Sequence, residues 1–129
     1  RRTMEKKPLQ HEELTRRILE ACFEVINELG CGFLESVYQN ALVIALQQKG
    51  LTVEAQLAMP VAFRGENVGQ FYADLFVDNK VIVELKAAEA LIPEHIAQVI
   101  NYLKATNTDV GLLVNFGHHP GVAIERIIR

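Results

Sequence analysis

Two carboxylates and a lysine stand in stretches of sequence that are otherwise apolar. Asp74 lies among Phe71, Ala73, Leu75, Phe76 and Val77, and Glu84 and Lys86 close the run Val81-Ile82-Val83-Glu84-Leu85-Lys86. An isolated carboxylate in an apolar strand is costly unless something pairs with it. Asp78-Asn79 reads as a tight turn that folds the two segments into an antiparallel hairpin. Pairing about that turn puts residue 74 opposite residue 83, so Asp74 and Glu84 fall at neighbouring positions. Two carboxylates that close repel, and one takes up a proton unless a divalent cation intervenes. An all-oxygen ligand set favours Mg²⁺ or Mn²⁺. Glu84 and Lys86 are two apart and project to one face. The lysine therefore points at the cation and whatever it holds, either to orient or polarise a water nucleophile or to stabilise an anionic transition state.

The elements that must position these groups are legible in the periodicity. Leu14, Ile18, Cys22, Val25 and Leu29 recur at spacings of three and four, predicting a helix over 9–29 with Gly30 as its C-cap. Glu20, Glu24 and Glu28 form an acidic stripe on another face, read as solvated. A second helix is expected over about 34–49, with Val37, Ala41, Ile44 and Ala45 as its buried side. From Thr52 to Phe63 the pattern alternates and is β-rich. Arg64-Gly65-Glu66-Asn67 reads as a turn, Val68–Val77 as the next strand and Lys80–Lys86 as a third. Pro93 suits the first turn of a helix over about 93–106. Asp109–Phe116 reads as a fully apolar strand deep in a sheet, and Val122–Ile128 as the last strand after a Gly/Pro/His loop. The order ααβββαββ predicts an α/β fold, a mixed β-sheet flanked by helices.

Composition bounds the rest. The 129 residues fit one domain, are 50% hydrophobic and can bury a core. No apolar run reaches the roughly 18 residues of a membrane span. The formal charge is −3. Residues 1–8 carry four basic groups and one acid, read as a flexible tail, which leaves −6 on residues 9–129. That balance argues against a protein that coats nucleic acid by neutralising phosphates, so an anionic substrate needs a local site. No secretory signal is legible, and Met4 reads as the natural start. Cys22 and Cys31 form no Cys-x-x-Cys pair and read as free thiols of a cytoplasmic protein.

The set Asp74 … Glu84-Leu85-Lys86, with an apolar strand on each side, resembles the PD-(D/E)xK nuclease superfamily. Gln98-Val-Ile-Asn-Tyr102 is similar to the Gln-x-x-x-Tyr helix motif of its RecB-like branches. Gly32-Phe-Leu-Glu35-Ser-Val-Tyr38 resembles the Gly-x-x-Glu-x-x-Tyr (GxxExxY) motif that names a small bacterial family placed in that superfamily. The resemblance spans about Leu9 to Ile128, and the element order matches a restriction-endonuclease-like core, α-β-β-β-α-β, with one helix in front. It departs in having Tyr-Ala rather than proline before Asp74. The resemblance implies that Asp74, Glu84 and the Leu85 backbone carbonyl bind the metal, with Glu35 adding a helix acid directly or through water. It makes Lys86 the catalytic lysine and places Gln98 and Tyr102 near the substrate backbone.

Other polar and aromatic residues carry blander expectations. His11 is poorly placed to replace Glu35. His95 shares a face with Gln98, His118-His119 reads as a solvated loop, and Phe23, Phe33 and Phe63 read as core. Tyr38 either hydrogen-bonds near the site or packs. The leading expectation is a Mg²⁺- or Mn²⁺-dependent nuclease acting on DNA phosphodiesters. A domain this small offers little surface for gripping a duplex, so a homodimer or a protein partner is expected. The alternative is a non-cleaving nucleic-acid- or protein-binding module on the same fold, for which the negative charge speaks.

Overall fold

A computed structural model of the chain describes residues 10–118 and 120–129. The expected tail over 1–8 and the residue His119 lie outside the described residues. The elements are α1 (Glu12–Leu29), α2 (Glu35–Gln48), β1 (Val53–Phe63), β2 (Glu66–Val77), β3 (Val81–Lys86), α3 (Pro93–Thr106), β4 (Val110–Asn115) and β5 (Ala123–Ile128). They form one five-stranded sheet in the order β1-β2-β3-β4-β5, antiparallel throughout except for the parallel pair β3–β4 that α3 connects. The fold is thus the mixed, helix-flanked α/β sheet of a restriction-endonuclease-like core.

Alternation along the two parallel strands divides the core. Val81, Val83 and Leu85 of β3 and Val110, Leu112 and Val114 of β4 pack with α1 and α2, through Ile18, Cys22, Val25, Leu42 and Leu46. Ile82 and Leu113 face the other way, against Val99, Tyr102 and Leu103 of α3. The sheet is therefore the middle of three layers, and β4 is buried on both faces as its apolar run predicts. Gly30 caps α1 at φ 75°, its N–H bonded to the Ile26 carbonyl. No helix among the described residues is long and apolar enough to cross a membrane.

Several expectations need correction. The second helix buries Tyr38, Leu42 and Leu46, while Ile44 and Val37 are exposed. Its inward stripe starts at Tyr38 because that ring stacks on Phe116 at 4.6 Å and its hydroxyl donates to the Gly30 carbonyl at 2.6 Å. Tyr38 thus packs and ties down the α1–α2 turn. Phe23, Phe33 and Phe63 are exposed rather than core. Only Arg64-Gly65 forms the β1–β2 turn, both at positive φ, so β2 begins at Glu66. The acidic stripe is partly paired: Lys49 Nζ lies 2.9 Å from Glu24 and 3.8 Å from Glu20.

The register between β2 and β3 is one residue from that expected. Leu75 pairs with Val83 and Val77 with Val81, so residue 74 falls opposite 84, not 83. Asp78 is held by Thr52, just before β1, its N–H to the Thr52 carbonyl and its carboxylate to the Thr52 N–H, both at 2.8 Å. The turn consequently takes three residues, 78–80.

The ends of β3 and β4 are clamped together. Asn115, 1% exposed, lies beside Lys86 and accepts from Ala88 N and Gly117 N at 3.0 Å while donating to Ala88 O at 2.9 Å. A Cβ on Gly117 would sit 2.5 Å from the backbone N and O of Ala88. Gly117→Ala is therefore expected to cost about 1–3 kcal/mol in urea unfolding. Gly69→Ala, at a position open on all sides, is the control and should stay within about 0.5 kcal/mol.

Candidate active site

Asp74 and Glu84 lie where β2 and β3 part. The backbone ladder between these strands covers only residues 75–77 and 81–83. Beyond it the carboxylates take over the bonding. Glu84 Oε1 accepts the Asp74 N–H at 3.0 Å, and Asp74 Oδ2 accepts the Leu85 N–H at 2.8 Å. Each acid thus satisfies a backbone donor that the ladder has abandoned, which is how two carboxylates are tolerated in apolar strands. In an extended strand a residue's N–H and C=O point to the same side, so the Leu85 carbonyl also faces this gap.

The pair is electrostatically strained. Glu84 is 4% exposed; burial, reinforced by the Asp74 charge, pushes its carboxyl up to about 8 despite the opposing pull of Lys86. Tyr102 is pushed up to about 12 by burial and then by the charges of Glu84 and Asp74, so its hydroxyl stays neutral. Lys86 Nζ donates to Gln98 Oε1 at 3.0 Å. The structure therefore brings Asp74, Glu84, Leu85, Lys86, Gln98 and Tyr102 to one locality, near the C-terminal ends of the parallel strands, where open α/β sheets bind ligands.

Glu35 is the outlier. It is the exposed first residue of α2, one turn before Gln39, at the end of the helix whose Tyr38 stacks beyond β4 on Phe116. Among the described residues, no three His, Cys, Asp or Glu side chains group as a metal cage. The histidines play other parts. His95 Nδ1 accepts the Ile92 N–H at 3.2 Å and caps α3. His11 begins α1 and acts on Asp109 at the opposite end of β4. His118 is exposed.

Two residues near the site escaped the sequence reading. Asn115 had a signal, a lone amide in an apolar strand. Gln56 had none, because a glutamine in an alternating edge strand reads as solvent-facing. Its side-chain amide donates to Asp74 Oδ1 at 3.3 Å and to Gln39 Oε1 at 3.0 Å.

An acid pair thus lies at the parting of two strands, with a lysine two residues on and a Gln/Tyr helix alongside. The model of the PD-(D/E)XK nuclease superfamily matches residues 12–127, and the chain belongs to that superfamily. The solved structure of SSO0001 has the same fold: TM-score 0.60 at 16% identity over 92% of this chain. The chain spans 59% of that protein's length. No curated protein gives a significant match.

The raised Glu84 carboxyl has a consequence for stability. Its ordinary value is 4.5 and its folded value about 8. Between these the folded chain keeps a proton that the unfolded chain releases, so stability falls as pH rises across that window and levels off above it. Glu84→Gln should remove this dependence. Metal-free wild type should lose about 1–3 kcal/mol more than the variant between pH 5 and pH 8, read by urea unfolding at each pH.

Proposed function

We propose that the protein is a divalent-metal-dependent nuclease that hydrolyses phosphodiester bonds of DNA, using Mg²⁺ or Mn²⁺. The observation that carries this is the interlocked pair Asp74–Glu84 facing a backbone carbonyl, with Lys86 two residues on. Enzymes of this superfamily generally use divalent metals, and the donor set fits one. It is all oxygen, and burial, reinforced by the neighbouring Asp74 charge, keeps a proton on Glu84 without a cation. Asp74, Glu84 and the Leu85 carbonyl would hold the ion, with Glu35 contributing from α2 directly or through water. A bound divalent cation supplies Lewis acidity at the phosphate and lowers the pKa of a coordinated water.

The protein's own residues do the rest. Lys86 positions the attacking water, and Gln98 fixes its ammonium at 3.0 Å. Tyr102, kept neutral by burial and by the acids, donates toward the substrate backbone together with Gln98. We place the protein in the GxxExxY family on Gly32, Glu35 and Tyr38, and in the cytoplasm. With −6 over residues 9–129, a homodimer or a protein partner supplies the grip on substrate. The same acidity favours a second reading, a module that binds without cutting.

Incubation with single-stranded, duplex and branched DNA and with RNA tests the reading. DNA should be cut in Mg²⁺ or Mn²⁺ and spared in EDTA. Asp74→Ala and Lys86→Ala should each lower the rate by about 10²-fold or more. If no substrate is cut, or if the Asp74→Ala protein cuts equally well, the nuclease reading is wrong. Calorimetry showing no Mn²⁺ binding that depends on Asp74 and Glu84 favours the binding module.

A further inference from the structure

Gln56 is the one residue inside β1 with a left-handed backbone, at φ 54°. Glutamine rarely adopts that conformation, and a non-glycine residue held there inside a strand signals a constraint imposed by its surroundings. The register shows what the kink does. Ala55 pairs with Leu75 and Leu57 with Ala73, while the pair between them, Gln56 and Asp74, is missing from the ladder. Both strands change phase at this point. On β1, Val53 packs with the α1/α2 core, whereas Leu57 and Met59 pack with the α3 core. On β2, Leu75 and Val77 face α1/α2, whereas Ala73 joins the α3 side. In an unbroken strand, residues of equal parity share a face. The break frees Gln56 and Asp74 to turn toward each other.

We propose that Gln56 is a positioning residue for Asp74, tying its Oδ1 to Gln39 of α2 while the Leu85 N–H holds Oδ2. Both oxygens of the carboxylate are then fixed, at 3.3 and 2.8 Å. Gln39 is also held, at 3.0 Å, one turn after Glu35. The strained strand residue thus couples the helix that carries Glu35 to the acid of the sheet. The proposal rests on the nuclease reading for its purpose, but the tie itself can be tested separately.

Glycine separates strain from contact, because it adopts positive φ freely but has no amide. Gln56→Gly should melt at or above the wild-type temperature, yet bind Mn²⁺ at least tenfold more weakly and lose kcat with little change in KM. Gln56→Asn, which tolerates the left-handed conformation but is too short to bridge, should lose Mn²⁺ affinity likewise. The melting shift caused by Gln56→Gly should be larger and more positive in an Asp74→Ala background, where the contact with Asp74 is already gone and only the one with Gln39 remains to be lost. Equal shifts in the two backgrounds, or wild-type Mn²⁺ affinity in Gln56→Gly, overturn the proposal. Unequal shifts in a protein that neither binds Mn²⁺ nor cuts DNA uphold the tie and unseat the nuclease reading instead.

Discussion

Two carboxylates stand where a β-ladder should continue, and the arrangement of the molecule answers to that. Once β2 and β3 part after Leu75 and Val83, the N–H groups of Asp74 and Leu85 have no backbone acceptors across the gap. Asp74 and Glu84 supply them reciprocally. Leaving a buried donor unpaired costs about 1–3 kcal/mol, so the acids stabilise the parting that creates their own site. The same arrangement forces their charges together in a buried place, which Glu84 answers by keeping its proton.

The surrounding elements limit how this pair can relax. The β3 end is fixed by the Asn115 amide and by Gly117, whose missing side chain lets the loop after β4 press against Ala88. That clamp grips Ala88, two residues past Lys86, and fixes where the lysine begins. From the other face, α3 approaches β4 so closely that a Cβ on Gly111 would meet Val99 at 2.7 Å, and this contact brings Gln98 within reach of Lys86. The apolar packing of α3 therefore sets the polar geometry. The α1/α2 layer acts through Tyr38, which pins the turn before α2.

Much of this was legible in the sequence because it follows from periodicity and from polar residues in apolar runs. Asp74, Glu84 and Lys86 stood out for that reason, and the element order followed from turn chemistry. The one-residue error in register arose because Asp78 spends its side chain on Thr52, a long-range contact that lengthens the turn invisibly to local reasoning. The inward face of α2 was misread because Tyr38 and Leu42 are buried by Phe116 and α1, whereas Ile44 is left exposed beside the α1/α2 groove. Gln56 was hidden more deeply. Its role depends on a phase break shared by two strands, and nothing in the alternation of β1 marks it.

The acidity of the chain, which first argued against nucleic acid, bears differently on the site than on the surface. Without a cation, Glu84 keeps its proton near neutral pH, so Asp74 and Lys86 leave the centre close to neutral. On the proposed reading, a divalent ion held there would add two charges and release that proton, a net gain of one, and would leave the lysine in excess. The centre would then attract a phosphate only in its loaded form. Because coupling between two ligands is reciprocal, a phosphate held there tightens the ion in turn. Under the proposed function, a chain with −6 over residues 9–129 would need no basic surface to discriminate at the reacting phosphate. It needs one only for reach along a duplex, where each neutralised phosphate adds to affinity. The acidic surface and the proposed cation-dependent centre are therefore compatible, provided that binding and loading occur together.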